Sequence, residues 1–131
     1  MIGIDTNALV RHLAQDDPVQ SPRASELIER RLSAENPGFV SVVVMAELAW
    51  VLERSYGLPD REIVIAIERL LQTDSLLIES ENEVFDALAA LKEGRGSFGD
   101  ALIAALGARA GCEHTLTFDR RALRLPGFAP A

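Results

Sequence analysis

The sequence predicts a three-layer α/β/α fold, a mostly parallel central sheet with helices on both faces. Short β-rich runs alternate with longer stretches at helical period, the pattern of βαβ units, whose parallel sheets are covered on both sides. At 131 residues the chain is enough for one compact domain and too few for two. No repeat, low-complexity tract or linker divides it, so residues 1–131 are read as one domain.

The elements follow in order. MIGI (1–4) is a short strand expected to be buried, and Thr6 or Asn7 caps a helix running to about Ala14. Ala24, Leu27, Ile28 and Leu32 fall at i, i+3, i+4 and i+8, one face of an amphipathic helix. Pro37-Gly38 is a turn and Phe39-Val40 a strand end. Ser41 caps a helix through VVVMAELAWVL (42–52) that stops near Gly57. Pro59-Asp60 opens a helix marked by Ile63, Ile67, Leu70 and Leu71. LLIE (76–79) is a strand, and Val84, Leu88 and Leu91 mark the helix after it. Ser97 opens another helix, where Phe98, Ala101, Leu102, Ala105 and Leu106 keep the period. HTLTF (114–118) is a strand, and the tail RRALRLPGFAPA a short helical turn and coil.

Composition narrows the function. Hydrophobic residues make up 48% of the chain, enough for a proper core. The single cysteine, Cys112, excludes an internal disulfide framework and is expected in the core. No apolar run is long enough to span a membrane, and MIGIDTN carries no secretory leader, so a cytoplasmic location is expected. A net charge of −7 argues against attraction to nucleic acid by the overall field, so any polyanion binding must be local. Of the basic residues only Lys92 is not arginine; arginine suits bidentate phosphate contacts, though codon bias explains the skew as well. His12 is expected on a helix surface, His114 at a strand edge, and Trp50 and Tyr56 in the core or an interface.

Four acids stand in apolar frames. Asp5 and Asp119 end strands, Asp100 sits in the first turn of an apolar helix, and Glu47 lies about two turns into VVVMAELAWVL. Ligand sites of parallel α/β sheets lie beyond the carboxyl ends of the strands. Each acid also has an ordinary role open to it. Asp5 and Asp119 suit caps, Asp100 the N3 position of a capping box with Ser97, and Glu47 a solvent-facing slot or an arginine pair. Should the ends of the first and last strands meet at one edge, all four would converge. Clustered carboxylates repel, and Mg²⁺ or Mn²⁺, hard ions that take carboxylate oxygens, would relieve them. Glu47 is then expected to be buried against a metal. A carboxylate site without His or Cys is the chemistry of phosphodiester hydrolysis, in which one or two ions activate water and neutralise the phosphate.

IDTNALV, the acid within VVVMAELAWVL, FGDALIAALG and LTFDRRALR together resemble a PIN-domain ribonuclease, in the small form of VapC-type toxins. The resemblance covers nearly the whole chain, with the motifs in order. It implies that Asp5, Glu47, Asp100 and Asp119 form an acidic metal site, with Thr6, Asn7 and Thr117 orienting carboxylates or water. It implies an α/β/α fold, Mg²⁺ or Mn²⁺ dependence, cleavage of tRNA, rRNA or mRNA, homodimers, and neutralisation by a cognate antitoxin. Arg120, Arg121 and Arg124, directly after Asp119, are the best local phosphate contacts, with Arg11 next; a solvated helix face is the plain alternative.

Three other readings compete. GRGSFG (94–99) matches the dinucleotide fingerprint G-x-G-x-x-G, with Asp119 beyond it, but the preceding VFDALAALKE has helical period where a strand is required. These glycines read as loop hinges. An aspartyl-phosphate phosphatase would use a strand-end Asp as nucleophile, but the position two residues on, where its second acid belongs, is Asn7. A catalytically inert binding module would keep the fold, yet all four acids are present.

Overall fold

The computed structural model describes residues 1–131 and places every helix and strand run anticipated above. The order is β1 (Ile2–Gly3), α1 (Thr6–Ala14), α2 (Gln20–Glu26) with a π turn (Leu27–Arg31), β2 (Gly38–Val40), α3 (Val42–Arg54) and α4 (Asp60–Leu71). It continues with β3 (Leu76–Ile78), α5 (Glu81–Lys92), α6 (Phe98–Arg109), β4 (Thr115–Thr117), a 3₁₀ turn (Ala122–Arg124) and β5 (Phe128–Pro130). All strand pairings are parallel, with β2 between β1 and β3. Helices and parallel strands form the three-layer α/β/α arrangement. No helix is long and apolar enough to cross a membrane.

The sheet differs from expectation in three ways. β4 pairs with β5 and not with β1, so the strand ends bearing Asp5 and Asp119 share no hydrogen-bonded edge. β5 itself lies in a tail read as coil. Its two prolines argue against a central strand, but a ladder of only two strands leaves edges on which a residue without N–H is tolerated. The flanking bonds, Thr115 N–H to the Gly127 carbonyl at 2.7 Å and Ala131 N–H to that of Thr117 at 2.9 Å, close it. Finally, β1 is an edge strand: Ile2 and Gly3 are exposed and only Ile4 is buried.

The core joins Ile4, Leu9, Val40, Met45, Leu48, Leu52, Ile67, Val84, Leu88 and Leu102 into one cluster. α3 is central to it, packing on α1, α4 and α6. Of the residues outside the acid site, Cys112 and Trp50 are exposed rather than buried, and His12 is half-buried, its Nδ1 3.0 Å from the Ser25 hydroxyl. Gly94, at φ +68, closes α5 in the left-handed conformation, and a Cβ on Gly96 would meet Leu125 Cδ1 at 2.8 Å. The glycines of GRGSFG therefore serve a helix end and a close approach, and a helix precedes them, which removes the dinucleotide reading.

A polar network ties the α1–α2 connection to the end of α3. Tyr56 donates its hydroxyl to Asp16 Oδ2 at 2.7 Å, and Arg11 Nη1 donates to Asp16 Oδ1 and to the Tyr56 oxygen, each at 3.3 Å. Asp17 accepts from the Val19 and Gln20 amides at 2.9 and 2.7 Å, which serves the start of α2. These donors hold both carboxyls below the ordinary carboxylate range, the Tyr56 hydroxyl chiefly for Asp16 and the Gln20 amide chiefly for Asp17.

Two outcomes follow from this packing. An added Cβ on Gly38, in the middle strand, would stand 2.7 Å from Ile4 Cγ1 and 2.8 Å from Leu32 Cδ1, both core side chains. Gly38→Ala should lower stability in urea by about 1–3 kcal/mol through overpacking, and an unchanged midpoint would refute the contact. For Asp16 the folded value is depressed, so its contribution is present above the unfolded carboxylate range and disappears as pH falls through the folded value. Tyr56→Phe should return the Asp16 midpoint toward the ordinary range in a carbon-detected NMR titration; an unmoved midpoint would exclude the hydroxyl as its main cause.

Candidate active-site cleft

α3 decides where Glu47 points. Its buried stripe is Met45, Leu48, Ala49 and Leu52, at i, i+3, i+4 and i+7, which packs against the core. Glu47 lies two residues past Met45, on the far side of the helix, in line with Val43 and Trp50 at i−4 and i+3. All three are exposed, Val43 at 73% and Trp50 at 57%. The expectation that Glu47 is buried against a metal is thus corrected: a nearly all-apolar helix still has an outer face, and Glu47 is on it. The Arg54 guanidinium sits 5.8 Å from the Trp50 ring centroid along the same surface.

That outer face borders a cleft of about 390 Å³ formed by α3, the start of α4 and the start of α6. Glu47, Glu53, Asp60 and Asp100 line it, together with Trp50, Ser97 and Ile103, and no Lys, Arg or His does. Ser97 caps α6 by accepting from the Asp100 amide at 3.1 Å. The return bond of a full capping box, from the Ser97 amide to the Asp100 carboxylate, is not made, so the half-buried carboxylate is left to the cleft. A larger cavity of about 530 Å³ lies among α1, α3 and α4, lined by Leu13, Leu52, Tyr56 and Ile65 among others, but it contains none of the predicted acids.

The other two acids take up the capping roles open to them. Asp5, not Thr6 or Asn7, is the N-cap of α1: its Oδ1 accepts from the Thr6 amide at 2.8 Å. Asp119 accepts from the Arg121 amide at 2.8 Å, and its own amide donates to Thr117 Oγ1 at 3.0 Å, which leads the chain into the 3₁₀ turn. Both acids are exposed, and neither lines the Glu47–Asp100 cleft. The expected convergence of all four is therefore absent as the side chains stand: no three His, Cys, Asp or Glu side chains lie close enough to hold an ion together.

The donor chemistry nevertheless suits a hard cation. Mg²⁺ keeps several waters and is held through one or two carboxylates plus substrate phosphate, so two acids facing one cleft meet its need without a closed protein cage. Thr6, outside this cleft, is a separate feature. It is 5% exposed, and its Oγ1 has no hydrogen-bond partner, an uncommon state for a buried hydroxyl directly beside Asp5. Among the arginines proposed for phosphate, Arg120, Arg121 and Arg124 are exposed and free of ion pairs, whereas Arg11 is half-buried and engaged with Asp16. The sequence alone did not point to Glu53 and Asp60 in the cleft, because on their helices they read as ordinary surface charges.

Comparison with curated proteins returns no match. Comparison with protein families matches the PIN domain over residues 2–127, nearly the whole chain. The chain belongs to the PIN-domain family.

Proposed function

We propose that the protein is a Mg²⁺- or Mn²⁺-dependent endoribonuclease that works at the Glu47–Asp100 cleft and acts as the toxin of a toxin–antitoxin pair. PIN domains are in general metal-dependent nucleases, typically with Mg²⁺ or Mn²⁺. The observation that carries the reading is that Glu47 and Asp100, from separate helices, face one cleft lined by four acids and no cation. Two carboxylates facing one cleft can hold a divalent ion together with water and a substrate phosphate.

Asp100 and Glu47, which face the cleft, would hold the ion. Asp5 and Asp119 lie outside it as the side chains stand, and would have to turn toward it for Asp5 to complete the shell and Asp119 to position the attacking water. The bound ion would supply the positive charge that activates water and neutralises the phosphate. The chain's own contribution is orientation. Thr6 would offer its unpartnered hydroxyl proton to the Asp5 carboxylate or to water, Asn7 presents an amide two residues past Asp5, and Thr117 fixes the Asp119 backbone through its 3.0 Å bond. RNA is the substrate, as tRNA, rRNA or mRNA, with the exposed Arg120, Arg121 and Arg124 as its phosphate contacts. The exposed Val43, Trp50 and Ile103 suit contact with a second copy or a cognate antitoxin.

Three measurements test this. Asp100→Asn and Asp5→Asn should each abolish cleavage of RNA, in assays run with and without chelator, while the melting temperature stays level or rises; full-rate cleavage by either variant removes that residue from the site. Adding Mg²⁺ to the wild type should raise its melting temperature, by an amount equivalent to about 2.7 kcal/mol at a hundredfold excess over the dissociation constant. No shift at millimolar metal would sink the metal site. Thr6→Val, which replaces an unpartnered buried hydroxyl by a methyl, should leave stability level or higher and yet cut metal affinity or activity about 10–100-fold. A loss of stability with unchanged activity would show Thr6 to be merely structural.

A further inference from the structure

A second groove differs in charge from the acidic cleft. It measures about 340 Å³, lies between α1 and α2, and is lined by Asn7, Ala8, Arg11, Gln20, Arg23, Ala24, Leu27 and Arg31. Three guanidiniums and two amides face it without one carboxylate, in a protein of net charge −7. Arg23 and Arg31 are exposed and form no ion pair, so their charge is available to a ligand. Arg11 is prepositioned: its Nε donates to Gln20 Oε1 at 2.8 Å, and its Nη1 is held by Asp16 and Tyr56. A guanidinium already ordered by its own protein loses less entropy when it meets a phosphate.

From this we infer that the α1–α2 groove holds the phosphate backbone of the RNA, with Arg23 and Arg31 as phosphate contacts beside Arg11, which stays engaged with Asp16 and contributes its remaining N–H groups. The inference rests on the nuclease reading above, and it extends that reading to a binding track outside the acidic cleft. Asn7 supports the link, since it lines the groove and stands two residues beyond Asp5 on the same helix start. Arg23 and Arg31 are separated by about 12 Å along a helical axis, enough for more than one phosphate. The π turn carries Arg31 on this face, its wider loop closed by the Leu32 amide to the Leu27 carbonyl at 2.9 Å. An acidic peptide would meet the same cations, but the amides of Asn7 and Gln20 also offer donors and acceptors to sugar hydroxyls and base edges.

The experiment measures binding of a fluorescent single-stranded RNA by anisotropy, with EDTA present so that no cleavage occurs, over a range of salt. Arg23→Gln with Arg31→Gln should weaken binding about tenfold at low salt and reduce the salt slope by about 1.4, at about 0.7 per lost phosphate contact. Arg23→Lys with Arg31→Lys should keep most of the slope, since the charge remains. Unchanged affinity and slope in the glutamine pair would overturn the groove. So would displacement of the RNA by a polyglutamate peptide as readily as by unlabelled RNA of equal charge, which would assign the groove to an acidic segment. A wild type that binds no RNA would overturn it too. The nuclease reading is judged separately, by chelator-sensitive cleavage and its loss in Asp100→Asn, so either can fail without the other.

Discussion

Burial of one stripe of α3 governs the geometry of the acidic cleft. Met45, Leu48, Ala49 and Leu52 are drawn into the core by the free energy of removing apolar surface from water, roughly 25 cal/mol per Å². Once that stripe is fixed, the helical period leaves Glu47 no choice of side. It emerges between α3 and the start of α6, where the Ser97 cap has set Asp100. The site is therefore placed by packing that does not itself include a charge. A rotation of α3 by about 100°, one residue step, would carry Glu47 away from the cleft and bring Leu48 out of the core. The apolar core and the acidic pair are thus fixed by the same helix orientation.

Charge is separated along the surface in a way that net charge conceals. Acids alone among the ionisable residues line the cleft, and arginines alone line the α1–α2 groove. At physiological salt, fields between exposed charges fade over about 8 Å, so a ligand responds to the groove it enters rather than to the sum of −7. A polyanion is repelled by the cleft until a cation neutralises it, while the groove attracts the same chain with no cation present. Under the proposed function, such a division would make binding and chemistry separable, one governed by salt and the other by divalent metal.

Much of the fold was legible because local signals and tertiary packing agree. Ser41 and Ser97 cap where the sequence predicts, and the periodic sets at Ile63, Ile67 and Leu70 and at Val84, Leu88 and Leu91 are buried. The failures share a cause. β5 has no local β signal, and exists because β4 offers it a ladder. Glu47 reads as buried because the ten residues around it in VVVMAELAWVL are all apolar, yet Val43 and Trp50 are on the outside with it. Composition reports what a helix is made of; only the period, checked against what packs on it, reports which side is wet. Glu47 and Asp100 were legible as acids of one site, but within a convergence of four that Asp5 and Asp119 do not join, and Glu53 and Asp60 needed the three-dimensional arrangement.

At Asp5 and Asp119 a capping role does not by itself exclude the catalytic one proposed for them. A carboxylate has two oxygens and about four lone-pair directions, and a cap bond uses one of them. At Asp5 the 2.8 Å bond from the Thr6 amide holds Oδ1, fixing the plane of the group. Its second oxygen is thereby left free beside the start of α1. Asp119 is fixed likewise from the Arg121 amide. Caps are among the stiffest positions on a chain, because the backbone they serve is itself rigid. A carboxylate that must meet a ligand in one orientation gains from such a seat: the ordering entropy is settled on folding and not at each binding event. The capping role of these residues would thus supply the preorganisation that the proposed role requires.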